Sequence, residues 1–186
     1  MQWEEEGAVM PQDIDITALK NAIRDVPDFP KKGILFKDIT TLLSQGALFR
    51  QTIDILAKHY AGQGIKKIVC VESRGFMFGA PVAYQLGVGV VPVRKKGKLP
   101  YRTLSCSYAL EYGVDTLEMH EDALAAGEKV LIMDDLLATG GTALATAELI
   151  KKTGAELTGI AFLIELAFLN GRQKLKDFDV FSLIQY

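Results

Sequence analysis

Residues 130–142 read VLIMDDLLATGGT: four apolar residues, two adjacent carboxylates, then a turn rich in glycine and threonine. Val130, Leu131, Ile132 and Met133 have the pattern of a strand buried on both faces, the kind found in parallel sheets. Asp134 and Asp135 follow at its end, where two carboxylates are costly unless something satisfies them. Ala138, Thr139, Gly140, Gly141 and Thr142 then lead into a helical stretch over 143–153. A Gly/Thr turn at a helix start offers unpaired backbone N–H groups and hydroxyls, which suits a phosphate. Strand, acidic pair, turn and helix together suit a ligand with neighbouring hydroxyls and a phosphate. A ribose 5-phosphate fits, with the carboxylates accepting from the 2- and 3-hydroxyls.

Rival readings of this stretch require partners the sequence lacks. The magnesium-binding strand of a P-loop NTPase needs G-x-x-x-x-G-K-[ST] elsewhere, and no such segment occurs. A dinucleotide fingerprint needs G-x-G-x-x-G after a strand. Gly87-Val88-Gly89 lacks the third glycine and precedes a strand. A plain turn with a solvated acidic pair leaves the two threonines and the doubled glycine unexplained. The stretch resembles the diphosphoribosyl-binding signature of the type I phosphoribosyltransferases.

At 186 residues the chain is expected to form a single domain with a full core. Its 49% hydrophobic and 24% charged content is ordinary for a globular protein. A formal net charge of −2 gives no reason to expect nucleic acid or an anionic membrane as partner. No apolar run reaches the roughly 18 residues of a membrane span, and the acidic start MQWEEEGAV does not read as a signal peptide. Cys70 and Cys106 lack metal or C-x-x-C spacing. Reduced thiols in a cytoplasmic enzyme are the expectation.

Outward from the central stretch, residues 1–12 read as a tail and 14–26 as a helix capped by Asp13 or Asp15. Pro27 and Pro30 stop it. Ile34-Leu35-Phe36, flanked by Lys37 and Asp38, reads as an edge strand, and 46–60 as an amphipathic helix with His59 as partner of its C-terminal dipole. Residues 67–71 form a buried strand with Glu72-Ser73-Arg74-Gly75 at its carboxyl end, where open α/β sheets bind ligands. A fixed guanidinium there suits a diphosphate, although Arg74 has Glu72 as an alternative partner. A strand over 88–93 empties into Arg94-Lys95-Lys96-Gly97-Lys98. Such a run is ordinarily a solvated face or a nucleic-acid patch, but here it can reach the rim that Arg74 occupies. Strands over 103–112 and 114–119 form a hairpin turning at Gly113, so that about 94–120 interrupts the βα alternation as a flexible lid. His120 reads as a surface residue. Strands over 128–133, 156–166 and 180–186, with a short helix over 169–175, complete an α/β, doubly wound, mainly parallel sheet with flanking helices.

With these pieces in place, FPKKGILFKDIT at 29–40, ESRGF at 72–76, VRKKGKLP at 93–100, LEYG at 110–113 and DDLLATGGT at 134–142 resemble, in order, the adenine branch of the type I phosphoribosyltransferases. The resemblance runs from about residue 25 to 186. It implies transfer of ribose 5-phosphate from phosphoribosyl diphosphate to N9 of adenine, giving AMP and diphosphate. It also implies Mg2+ carried by the diphosphate, with no metal ligand assigned in the chain, and a homodimer. By the same resemblance Asp134 and Asp135 hold the ribose hydroxyls, and Ala138, Thr139, Gly140, Gly141 and Thr142 the 5-phosphate. Arg74, Arg94 and Lys98 serve the diphosphate. Leu35, Phe36 and Lys37 form a hood, about 25–41, that pairs with and stacks on the base, while Leu166 lies on the base's other face. Glu111 is the lid carboxylate that handles a proton at the purine N7. Many members have arginine where this chain has Lys37. Two alternatives stay open here: another base, and a regulator that senses phosphoribosyl diphosphate while binding nucleic acid.

Overall fold

The structure, a computed structural model, describes residues 16–109 and 113–186. In chain order the elements are α1 (Thr17–Ala22), β1 (Arg24–Pro27), β2 (Leu35–Asp38), α2 (Thr40–Leu43), α3 (Gly46–Tyr60), β3 (Lys67–Val71), α4 (Gly75–Leu86) and β4 (Gly89–Lys95). They continue with β5 (Thr103–Ala109), β6 (Val114–His120), β7 (Lys129–Leu137), α5 (Gly141–Thr153), β8 (Glu156–Glu165) and β9 (Val180–Gln185). The main sheet has seven strands in the order β5-β6-β4-β3-β7-β8-β9. Neighbours from β4 to β9 are parallel, and the β5–β6 hairpin is antiparallel. The strand order reverses around β3 and β7, so their carboxyl ends flank the crevice where such sheets bind ligands.

Both faces of the sheet are covered, which is why its central strands are continuous apolar runs. On one face Ile68, Cys70, Leu131, Met133 and Leu163 pack with Leu56, Phe78 and Val82 of α3 and α4. On the other, Val69, Val130, Ile132, Ile160 and Phe162 pack with Leu149 and Ile150 of α5. Gly79 lets α4 lie directly on β3, because a Cβ there would overlap the Cys70 sulfur.

Several sequence expectations change. The helix expected over 14–26 covers only Thr17–Ala22; the chain then turns into β1, which pairs antiparallel with β2 from Arg24↔Asp38 to Pro27↔Leu35. Pro27 favours extended backbone at Val26, and the ladder with β2 holds it there. The expected caps, Asp13 and Asp15, lie outside the described residues. The strand expected to end at Met133 continues through the acidic pair to Leu137, because β8 pairs with it as far as Leu137↔Glu165. The helix expected over 169–175 is two 3-10 turns, Ala167–Leu169 and Gly171–Leu175, broken at Asn170 with φ +52°. His59 stacks on Phe181 at 4.0 Å and burial lowers its pKa, so it packs as a neutral aromatic and not as a dipole partner. His120, expected at the surface, is half-buried: its Nε2 is enclosed with no hydrogen-bond partner among the described residues, and its ring meets Tyr101 edge-on at 6.2 Å.

The hairpin is joined to the main sheet at its base, where Arg94 and Lys95 of β4 pair with Glu118 and Leu117 of β6. Residues 110–112 of its tip, Glu111 among them, lie outside the described residues.

Candidate active site

The site is built at the carboxyl ends of β3 and β7. Asp135 is 5% exposed, and its Oδ2 is buried without a well-aligned hydrogen bond. Arg74, at the start of α4, brings its Nε to 3.0 Å from that oxygen. The approach supplies charge but leaves the oxygen a free acceptor site, as a ligand hydroxyl needs. The Asp135 N–H donates to Asp134 Oδ1 at 2.9 Å. Burial pushes the Asp134 carboxyl well above the usual carboxylate range, and the neighbouring Asp135 charge adds to it. Asp135 is also raised by burial, with the Arg74 guanidinium opposing. The pair is therefore under electrostatic stress, which hydroxyl donors relieve.

Gly75 makes the close approach of α4 possible. A Cβ there would lie 2.8 Å from Met133 O and 2.9 Å from Asp134 Oδ1. In the sequence Gly75 is one residue of the ESRGF stretch; its physical reason is this contact across the sheet.

The turn is shorter than expected: it covers 138–140, and α5 starts at Gly141, two residues before the expected 143. Gly140 caps α5 with φ +78°, and no side chain caps the helix. The N–H groups of the first helical turn are thus left for a ligand. Thr139 is exposed, and Thr142 Oγ1 donates to the Tyr108 hydroxyl of β5 at 3.3 Å. The floor of the turn is Gly171, which the sequence did not flag. A Cβ on Gly171 would overlap Ala138 O, and one on Gly140 would lie 2.5 Å from Gly171 O.

Glu72, not counted among the candidates, gathers the expected diphosphate cations. Its Oε2 lies 3.3 Å from Arg94 Nε and its Oε1 2.8 Å from Lys98 Nζ. Lys98, the Lys95 N–H and Arg94 hold its carboxyl at about 2. Glu72 is thus the partner of Arg94 and Lys98 and not of Arg74, which turns to Asp135. The Glu72 N–H donates to Val93 O, fixing this loop beside β4.

At the hood, the Phe36 ring meets Phe29 edge-on at 5.1 Å, and Arg74 Cζ lies 5.5 Å from its centroid. One guanidinium therefore spans the acidic pair and the aromatic ring. Leu35 is exposed; Lys37 forms an ion pair with Asp25 at 2.5 Å. Leu166 is half-buried directly after β8, its N–H bonded to Leu137 O. The structure thus brings Asp134, Asp135, Arg74 and Phe36 together, and Arg94 and Lys98 onto Glu72. The candidate Glu111 lies outside the described residues.

Comparison with known proteins agrees with this geometry. The phosphoribosyl transferase domain family matches residues 38–185. The adenine phosphoribosyltransferase of Syntrophotalea carbinolica is 57% identical over 168 residues, 90% of this chain and 98% of that protein. The crystal structure of adenine phosphoribosyltransferase from Thermoanaerobacter pseudethanolicus superposes with TM-score 0.89 at 54% identity, covering 92% of this chain and 99% of that one. The Saccharomyces cerevisiae enzyme, solved with adenine and an imino-altritol bisphosphate, matches at TM-score 0.86 and 44% identity over 90% of this chain and 97% of its own.

Proposed function

The chain belongs to the adenine phosphoribosyltransferase family, and from that premise we propose that its site works on adenine and phosphoribosyl diphosphate as follows. Ribose 5-phosphate passes to N9 of adenine, giving AMP and diphosphate, a purine-salvage reaction. The observation that carries the assignment of roles is the placement of Arg74, 3.0 Å from Asp135 and 5.5 Å from the Phe36 ring. It joins a sugar-binding end to a base-binding end in one crevice.

The bond between the anomeric carbon and the diphosphate oxygen breaks as adenine N9 bonds to the same carbon. Positive charge grows on the ribose and negative charge on the leaving group, so positioning and electrostatics dominate. Asp134 and Asp135 accept from the ribose 2- and 3-hydroxyls, and their negative field favours the developing cation. Ala138, Thr139, Gly140, Gly141 and Thr142 hold the 5-phosphate at the start of α5. Arg74 turns from Asp135 to the diphosphate, and Arg94 and Lys98 leave Glu72 for it. Phe36 stacks on adenine, backbone groups of Leu35 and Lys37 pair with its edge, and Leu166 closes the other face. The N7 proton leaves to the Glu111 carboxylate as the lid, about 94–120, closes over the hood, about 25–41, and excludes water.

Mg2+ fits the site as an ion carried by substrate. Magnesium takes one or two carboxylates plus phosphate oxygens in place of a full protein cage, and the Asp135 Oδ2, buried with only the Arg74 guanidinium beside it and no well-aligned hydrogen bond, is an oxygen of that kind. When bound, the ion would supply charge neutralisation on the diphosphate, with Asp134 and Asp135 as its protein neighbours.

The reading includes a cytoplasmic homodimer with no nucleic-acid or membrane partner. The free thiols Cys70 and Cys106 suit a reducing compartment, and the net charge of −2 suits small anionic substrates brought in by local cations. Among the described residues no helix is long and apolar enough to cross a membrane. The test is AMP formation from adenine and phosphoribosyl diphosphate, with hypoxanthine, guanine, xanthine and orotate in parallel. Adenine alone should turn over efficiently, and a gel shift at physiological salt should find no nucleic-acid complex.

A further inference from the structure

β1 and β2 form a two-stranded sheet of their own, outside the ladder of the seven-stranded one. The ring of Phe36 therefore depends on side-chain contacts for its distance from the rest of the site. Consecutive residues of a strand point to opposite faces. Phe36 meets Phe29 and Arg74, while Lys37 reaches away to Asp25 and Tyr186. The Lys37 side chain is only 9% exposed, and its Nζ sits 3.9 Å from the Tyr186 ring centroid. A cation screened from water and stacked over a ring is held far more firmly than an exposed ion pair.

Tyr186 is tied in turn to the segment that carries Leu166. Its N–H donates to Glu165 O and its C=O accepts from the Ala167 N–H, both at 3.0 Å, so the two bonds bracket Leu166. Lys20 adds a second link: its Nζ donates to Gln185 O and lies 4.8 Å from the same ring, while the Tyr186 hydroxyl donates to Lys20 O. The chain of contacts thus runs from β2 through Lys37 and Tyr186 to Leu166, from one wall of the base slot to the other.

We propose that Lys37 is a positioning residue that sets the width of the base slot, clamping β2 to the Leu166 segment through the Tyr186 ring, with Asp25 of β1 steadying its ammonium. Its ammonium does not touch the base. The proposal rests on the reading of Phe36 and Leu166 as the faces that enclose adenine.

The test is steady-state kinetics of AMP formation by the full chain, varying each substrate at saturation of the other. The variants are Lys37→Met, Tyr186→Leu, both together, and Lys37→Arg. Each of the first two should raise the KM for adenine about tenfold, the scale of one desolvated cation–ring contact, while the KM for phosphoribosyl diphosphate stays within about twofold. The double variant should fall short of the product of the two single effects, because both remove the Lys37–ring contact, although Tyr186→Leu also loses the Lys20 contacts and Lys37→Met the Asp25 pair. Lys37→Arg, which keeps a cation over the ring, should recover most of the loss. An unchanged adenine KM in both single variants would overturn the proposal, as would parallel rises in both KM values or effects that multiply in the double variant. If Lys37→Met fails to fold, Tyr186→Leu decides alone by the same split. A wild-type chain that forms no AMP would instead overturn the function on which the proposal stands.

Discussion

Gly171→Ala should damage the 5-phosphate site without any change at a residue that touches the substrate. Gly171 opens the second 3-10 turn. Its φ is not in the left-handed region, so alanine is tolerated by the backbone and the whole cost is spatial. The added methyl would overlap Ala138 O and lie 3.0 Å from both Ala138 C and Gly140 N. All three contacts are to backbone, which cannot rotate away as a side chain would. Restoring ordinary van der Waals spacing requires a backbone displacement of about 1 Å in a packed region, at a stability cost of roughly 1–3 kcal/mol. A misplacement of about 1 Å in a positioning element costs on the order of 10²-fold in rate. Initial rates of AMP formation should therefore show kcat/KM for phosphoribosyl diphosphate reduced by ~10²-fold, with the KM for adenine nearly unchanged. Gly46→Ala is the control: its added Cβ meets nothing within 4 Å, and it should be neutral or stabilise by roughly 0.4–1 kcal/mol. A Gly171→Ala enzyme within a few-fold of wild type would refute the claim that this glycine forms the floor of the phosphate turn.

Asp134→Asn combined with Asp135→Asn should abolish phosphoribosyl diphosphate binding by calorimetry, since each charge-assisted hydrogen bond contributes roughly 1.5–3 kcal/mol. The same stress predicts a gain in stability. A carboxyl whose folded pKa is raised, here Asp134 by burial and by Asp135, makes the fold lose stability as pH rises from the unfolded carboxylate value toward the folded one. Asp134→Asn should therefore raise the Tm of the unliganded protein at pH 7 and flatten that loss; a lowered Tm at pH 7 would count against it. Phe36→Ala should weaken adenine binding by roughly 1–3 kcal/mol, as for aromatic platforms under bases, and leave phosphoribosyl diphosphate binding intact; the reverse pattern would make Phe36 a packing residue. Glu111→Gln keeps size but cannot accept a proton, so kcat should fall by ~10²-fold or more at little-changed KM for phosphoribosyl diphosphate. A kcat within a few-fold of wild type, with chemistry shown rate-limiting by single turnover, would make Glu111 an ordinary surface carboxylate.

What the sequence carried legibly was local. The apolar run from Val130 to Met133, the acidic pair and the Gly/Thr turn are contiguous, and each implies the next through strand, crevice and helix N-terminus. The alternation of strands and helices likewise yielded the parallel sheet. What stayed hidden depends on groups far apart in the chain. Arg24–Pro27 looks like a helix end until Leu35–Asp38 supplies its ladder. β7 runs past Met133 only because β8 continues beside it. Glu72 is one carboxylate in a motif until Arg94 and Lys98 fold onto it from the end of β4 and the loop beyond. Gly75 and Gly171 are needed for contacts with Asp134 and Ala138, across 59 and 33 positions of sequence respectively; ESRGF marks the first without giving its reason, and no local pattern marks the second. The lysine at 37 meets Asp25 across the β1–β2 ladder and the ring of Tyr186, and no spacing rule connects it to the second.

The central claim is that one crevice binds a ribose 5-phosphate at Asp134, Asp135 and residues 138–142 and presents it to adenine at Phe36. The most direct measurement is the ratio of kcat/KM for adenine to that for hypoxanthine, each with saturating phosphoribosyl diphosphate and magnesium. Adenine offers a donor at its 6-amino group and an acceptor at N1, whereas hypoxanthine offers the reverse at both. Backbone groups near Leu35 and Lys37 cannot satisfy both patterns, and mismatched buried polar groups permit discrimination of roughly 10⁴-fold. AMP should form from adenine with a ratio of that order; comparable turnover of the two bases, or none of adenine, would contradict a crevice built this way.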